Sequence, residues 1–269
     1  MDSDFNSARA IITIKRFIKG KMLQSGRDGY VVGLSGGLDS AVAASLAVQA
    51  VGREKLLAVL MPYRTSSPNS SRDALALAEN LGIDHRRVDI TPMIDAYFPE
   101  INPQNRIRAG NKMARERMSI LFDIAHEMDR LVLGTGNRTE ICLGYTTWYG
   151  DSACSINPIG ELYKTEVRAL AAELDIPRSI VDKIPTADLW HDQSDEGEIG
   201  VAYETIDALL KRLVEGSVRS MSALEKEGFS ATDMSRIVSL MNRYSFKRRL
   251  PDIAPLGKLP IPDEIQFEE

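Results

Sequence analysis

Four short apolar runs separated by stretches of helical periodicity constrain this chain more than any other feature of its sequence. Residues 30–34, 56–61 and 130–134 are apolar and bounded by glycine or proline, and read as buried strands. Residues 85–91 form a weaker strand that Pro92 stops. Helical spacing fills the intervals at 40–51, 71–81 and 105–128, and an opening helix at 7–24 carries Ile11, Ile14, Ile18 and Leu23 on one face. Alternating strands and helices predict an α/β fold, a single doubly wound parallel sheet flanked by helices. Beyond the fourth strand, 136–153 reads as glycine-rich loop with room for one helical turn. A helix follows at 164–174, a polar mobile loop at 183–197, and helices at 199–213, 220–227 and 232–244. Four prolines make the tail from about 251 extended. No repeat or linker divides the chain, so residues 1–269 are expected to form one domain.

In such sheets ligands bind past the carboxyl ends of the strands, where strand order reverses. The loop after the first strand reads Gly33, Leu34, Ser35, Gly36, Gly37, Leu38, Asp39, Ser40. A Walker A reading fails, because Asp39 stands where that loop needs its lysine. A nucleophile-elbow reading of Ser35 would need a late histidine, which only His191 supplies, and an earlier strand that residues before 30 do not offer. The third reading is an anion cradle. Paired glycines let backbone N–H groups turn inward at a helix N-terminus, Ser35 and Ser40 add hydroxyls, and Asp39 makes sense beside phosphate as a Mg²⁺ ligand. The bland alternative is a Gly/Ser turn with Asp39 as a helix cap. Ser35 through Ser40 resembles the PP-loop of the ATP pyrophosphatases.

The loop after the fourth strand contains Thr135, Gly136 and Glu140. Taken alone, Glu140 reads as a helix cap in a solvated loop. Paired with the first loop at the switch point, it would face Asp39, and two carboxylates would share one Mg²⁺. Lys164 opens a helix, where a solvated lysine is unfavourable to the dipole, a mismatch that mildly favours a functional role over a surface one. Asp151, in a Tyr149-Gly150-Asp151 turn, reads equally as a turn residue or as a functional group beside the proposed site.

The segments 143–151, 157–165 and 184–190, continued by 192–196 and Ile199-Gly200, resemble NAD synthetase, the ligase that amidates deamido-NAD. The resemblance runs from about 11 to 250. It implies the adenine-nucleotide alpha-hydrolase-like fold and an ammonia-dependent reaction through an acyl-adenylate, with release of AMP and pyrophosphate. It implies ATP contacts at residues 33–40, Arg64, Thr135, Lys164 and Thr186, with Mg²⁺ on Asp39 and Glu140. Deamido-NAD would meet Arg115, Trp148, Ser155, Phe246 and Lys247. The chain departs from the family where members often carry lysine at the position of Trp148, aspartate at that of Ser155 and histidine at that of Phe246. The family is homodimeric, and the helix around 106–128 would form part of the interface.

Charge and cysteine use narrow the setting. The formal net charge of −5 argues against a dedicated nucleic-acid surface. Two scattered cysteines suit a reducing cytosol. No apolar run is long enough to span a membrane, and the first residues lack a signal-peptide core, so a soluble cytoplasmic enzyme is expected. The synthetase-like segment occupies the length available, leaving no room for a glutamine-hydrolysing domain, so ammonia is the expected nitrogen donor.

Overall fold

The computed structural model describes residues 5–254 and 256, apart from 187, 191, 192, 217 and 219. His191 and most of the proline-bearing tail therefore lie outside the described residues, while 251–254 and 256 carry neither helix nor strand. The first half runs α1 (Ser7–Ser25), β1 (Tyr30–Gly33), α2 (Leu38–Val51), β2 (Leu56–Leu60), α3 (Pro68–Leu81), β3 (Asp84–Arg87), α4 (Thr91–Tyr97), α5 (Arg106–Glu127) and β4 (Leu131–Leu133). The second half adds α6 (Arg138–Leu143), α7 (Lys164–Glu173), α8 (Arg178–Val181), α9 (Asp195–Ile199), α10 (Tyr203–Leu210), α11 (Met221–Lys226) and α12 (Ala231–Arg243).

All strand pairs are parallel, in the order β3-β2-β1-β4. Val31 lies opposite Leu57 on one side and Val132 on the other. Alternation along the strands sorts side chains to two faces. Tyr30, Val32, Leu56 and Ala58 join the core packed under α1, α2, α3 and α7, whereas Val31, Leu57, Val59 and Val132 join the one under α4 and α5. A one-residue slip would exchange the two sets, so both faces hold the register. Strand order reverses between β1 and β4, which is where the two candidate loops emerge. A third apolar cluster, including Leu143, Tyr163, Tyr203 and Ile237, gathers the C-terminal helices beyond the sheet. No helix among the described residues is long and apolar enough to cross a membrane.

Three sequence expectations are corrected. The strand expected at 85–91 is Asp84–Arg87, and Pro92 does not end it; Pro92 lies in the first turn of α4, where a missing N–H costs no bond. The Asp89 carboxylate accepts from Thr91 N at 2.9 Å and turns the chain into that helix. The helix expected at 199–213 is broken at Gly200, which adopts φ +81°, leaving α9 before it and α10 after. Hence 183–197 is not all loop: Ser194 caps α9, and Asp195 opens that helix with only 5% of its surface exposed. The helix expected from Ser40 starts at Leu38, which puts Asp39 in the first turn of α2.

Candidate active site

The β1–α2 loop is held open by its own side chains. Ser40 Oγ donates to Gly37 O at 3.0 Å, Ser35 N donates to Ser40 Oγ, and Gly37 N donates to Ser35 Oγ. Among the described residues Ser35 Oγ thus faces Ser40 and a backbone amide; His191, which the elbow reading needs, lies outside them. Gly36 adopts φ +77°, and a Cβ there would sit 2.1 Å from Ser70 O. The close approach of α3 therefore requires glycine. The loop ends at the N-terminus of a 14-residue helix, whose unpaired amides and dipole favour an anion.

The second loop is built by a capping box. Asn137 is fully buried; its Oδ1 accepts from Glu140 N at 2.9 Å, and Glu140 Oε2 accepts from Asn137 N at 3.1 Å. Asn137 Nδ2 donates to Asp39 Oδ1 at 3.0 Å, tying this loop to the first across the switch point. Lys164 Nζ donates to the other oxygen of Asp39, and the lysine is 3% exposed. The α10 residue Asp207 positions both partners: it accepts from Thr139 Oγ1 at the start of α6 and from Thr165 N at the start of α7.

Glu140 is accordingly a helix cap, but not a solvated one. Burial pushes its carboxyl well above the ordinary value and the charge of Asp39 adds to the rise, while Lys164 opposes it. Burial lowers Lys164, but the charges of Asp39 and Glu140 outweigh that and the net shift is upward. Two carboxylates repelling each other beside one ammonium form a hard-oxygen donor pair suited to a divalent cation. Among the described residues no group of three acidic, His or Cys side chains forms a complete cage. An ion here would take its remaining oxygens from water and phosphate, as Mg²⁺ does.

These groups line a cavity of about 1000 Å³. Of the residues singled out from the sequence, Gly33, Leu34, Ser35, Gly37, Leu38, Asp39, Ser40, Thr135, Glu140, Asp151, Lys164, Thr186 and Lys247 reach its wall. Gly36, Arg64, Arg115, Trp148, Ser155 and Phe246 do not. Arg64 Nη1 instead pairs with Asp95 at 2.8 Å. Ser155 Oγ accepts from Val132 N, finishing the sheet edge. Arg115, Trp148 and Phe246 still form one group: Arg115 Nε donates to Trp148 O at 3.2 Å, and the Trp148 ring meets Phe246 edge-on at 5.2 Å. Lys247 Nζ is held by two carbonyls, Gly144 at 2.8 Å and Thr146 at 2.6 Å. Asp151 Oδ1 accepts from Thr147 N at 2.6 Å, and the packing around it raises its carboxyl.

Four site residues are not among those singled out from the sequence, although Asp188 and Asp195 lie within the family-like segments 184–190 and 192–196. Lys183 donates to Gly36 O at 2.8 Å and pairs with Asp73 at 2.6 Å, fastening the 183–190 segment to the first loop. Asp188 accepts from Ser67 N at 3.0 Å from the same segment. Asp195 accepts from the hydroxyls of Tyr145 and Tyr203 behind Lys164. Arg117 stands on the cavity wall from α5.

A family model described as NAD synthase matches residues 10–251 of the chain. The NH(3)-dependent NAD(+) synthetase of Fusobacterium nucleatum subsp. nucleatum is 44% identical over 255 residues, covering 95% of this chain and 98% of that protein. Among solved structures, one titled as an NMN synthetase from Francisella tularensis superimposes with a TM-score of 0.82 at 34% identity, covering 93% of this chain and 99% of the other. The NH3-dependent NAD synthetase from Campylobacter jejuni subsp. jejuni, in complex with nitrate, gives 0.79 at 32% identity, with coverage of 93% and 100%.

Proposed function

This chain belongs to the NAD synthase family, and from that premise we propose how its residues carry out the reaction. It is a ligase that uses ATP and ammonia to amidate deamido-NAD to NAD. The observation that carries the site reading is the junction of two loops: Asp39, Lys164 and Glu140 converge beside the open amides of the β1–α2 turn.

The carboxylate of deamido-NAD attacks the α-phosphorus of ATP, forming an acyl-adenylate and releasing pyrophosphate. Ammonia then attacks the acyl carbon and AMP leaves. Neither step needs a protein nucleophile, so catalysis is positioning and charge stabilisation. Residues 33–40 cradle the leaving pyrophosphate, and Lys164 stands against it as a compact charge. Asp39 and Glu140 would hold Mg²⁺, which when bound would neutralise phosphate charge. Thr135 and Thr186 complete the nucleotide wall. Asp151 holds ammonium and takes its proton before attack, a role supported by its place on the cavity wall and its raised carboxyl. Arg115, Trp148, Phe246 and Lys247 form the outer region that meets the dinucleotide; Ser155 reaches the dinucleotide, and Arg64 reaches ATP, only after local movement.

The enzyme works as a homodimer through the apolar side of α5, where Ile107 is 65% and Phe122 38% exposed. Its setting is the cytoplasm, a reading supported by two unpaired cysteines, Cys142 and Cys154. The likeness to an NMN synthetase supports one competing reading, amidation of the mononucleotide acid. The test is product analysis with ATP, Mg²⁺ and ammonium or glutamine, run in parallel with deamido-NAD and with its mononucleotide counterpart. Failure to form NAD from deamido-NAD and ammonium would sink the reading, and faster turnover of the mononucleotide would replace the acceptor.

A further inference from the structure

Arg117 projects from α5 to the carboxyl end of β2, where its Nε donates to Met61 O at 3.0 Å. That is its one hydrogen bond among the described residues, and no carboxylate there lies within 4.0 Å of it. Two carboxylates act on it from farther away, Asp188 and Asp151. Each already accepts a backbone amide, from Ser67 and Thr147 respectively. Desolvation by the surrounding protein pulls the guanidinium down to about 10, against the opposing charges of Asp188 and Asp151. A half-buried charge with no carboxylate in close contact among the described residues is suited to an anionic ligand that completes it.

The terminal nitrogens of Arg117 therefore form an unfilled anion site on the cavity wall. An arginine fork matches a carboxylate with two parallel hydrogen bonds. The triphosphate of ATP already has the 33–40 amides and Lys164, so it does not need this group. Asp151, whose charge reaches Arg117, is where ammonia is placed, and the carbon that ammonia attacks must come close to it.

We propose that Arg117 is the receptor for the pyridine carboxylate of deamido-NAD, a proposal that rests on the amidation reading above. One carboxylate oxygen attacks the α-phosphorus, and the bond from that phosphorus to the pyrophosphate oxygen breaks with its electron pair. The other oxygen remains on Arg117 as the acyl carbonyl. When ammonia adds, the carbonyl pair moves onto this oxygen beside the guanidinium. It returns as the bond to AMP breaks, and the surplus proton on nitrogen leaves with the phosphate of AMP, since Asp151 already carries the proton taken from ammonium. The product is a neutral carboxamide, so the ion pair present with substrate is gone with product. Arg117 thereby favours deamido-NAD over NAD and eases product release.

The test measures binding of deamido-NAD, NAD and ATP separately to the full chain and to its Arg117→Gln and Arg117→Lys variants, followed by turnover with ammonium. Arg117→Gln is expected to weaken deamido-NAD by ~10- to 100-fold, the loss of a charged hydrogen-bonded pair, while NAD and ATP binding hold. Arg117→Lys keeps the charge without the fork and should fall between, which also serves if the glutamine variant does not fold. A preference for deamido-NAD over NAD that persists in the variants overturns the proposal. So does an equal loss of ATP binding, which would mark a phosphate contact or a structural tether. If the unaltered chain binds deamido-NAD but makes no NAD from it, the amidation reading fails, while the binding preference still decides whether Arg117 is a carboxylate receptor.

Discussion

Replacing Lys164 by methionine isolates what the central charge cluster contributes. The change keeps the length and apolar stem of the side chain and removes the ammonium. The side chain of Lys164 is 4% exposed and that of Asp39 17%, so the pair is well shielded from solvent. Removing one partner of a buried pair costs ~3–5 kcal/mol. Asp39 keeps its bond from Asn137 and an open side toward the cavity, so the lower figure is expected. For a chain of this size about 3 kcal/mol lowers Tm by roughly 6–12 °C. The loss also carries a pH signature. Lys164 is the nearby charge that opposes the rise in Glu140, so without it that carboxyl shifts further up. A carboxyl raised in the folded state binds protons more readily there than in the unfolded chain. Its contribution is complete below the unfolded value of about 4.3 and drains away as pH climbs through the folded value. The gap between variant and parent should therefore narrow toward about pH 5 and widen toward pH 8. Lys164's own upward shift adds stability throughout that window, lost only as pH rises through its folded value. Differential scanning calorimetry across this range reads both effects. A variant within a degree of the parent, or a gap insensitive to pH, would refute the account of the cluster as a mutually dependent trio.

Gly36→Ala should abolish ATP binding by calorimetry, because φ +77° costs an L-residue ~1–2 kcal/mol and its Cβ meets Ser70 O at 2.1 Å. Unaltered affinity would show that α3 can retreat. Asp151→Asn keeps an oxygen for Thr147 N, so the fold should hold while KM for ammonia rises and pyrophosphate release with deamido-NAD persists; unchanged ammonia kinetics would remove Asp151 from that role. Chelation of divalent cations should stop pyrophosphate release and Mg²⁺ restore it, with Asp39→Asn shifting the requirement to higher Mg²⁺. Asp207→Ala leaves Thr139 Oγ1 and Thr165 N without their acceptor and should cost ~3 kcal/mol in denaturant unfolding. A loss below about 1 kcal/mol would mean that water replaces the carboxylate.

Legibility followed how locally each feature is encoded. The apolar strands β1, β2 and β4 stand out because burial on both faces of a parallel sheet leaves a continuous hydrophobic run. Strand β3 has the sequence Asp-His-Arg-Arg and lies at the sheet edge, where charges discourage further pairing and erase the pattern that would reveal it. The break at Gly200 hid for the opposite reason, since apolar periodicity continues across it. The Asp39, Glu140 and Lys164 group was readable from loop chemistry, yet its organiser Asn137 was not. A buried asparagine that spans 98 residues of sequence to reach Asp39 gives no local sign of doing so.

Residue type also says nothing of which hydrogen bonds a side chain has already made, and this separates two of the basic residues named from sequence. Arg64 is paired with Asp95, with about half of its side chain exposed, and such pairs are worth ~0–1 kcal/mol. Nucleotide phosphate can draw it away at little cost, so its absence from the cavity wall does not weigh against an ATP contact. Lys247 is different. Its two carbonyl partners belong to the 144–146 turn, and its ammonium also lies 4.5 Å from the centre of the Tyr244 ring. Burial has already lowered its affinity for a proton. Pulling it toward a phosphate would strand two carbonyls, so in the proposed reaction its part toward the dinucleotide would be played from where it stands, by shaping the turn and by field. Lys247→Arg, which keeps the charge but cannot seat a planar fork between those carbonyls, should therefore raise KM for deamido-NAD while leaving KM for ATP alone. Equal kinetics for lysine and arginine at this position would show that only the charge matters.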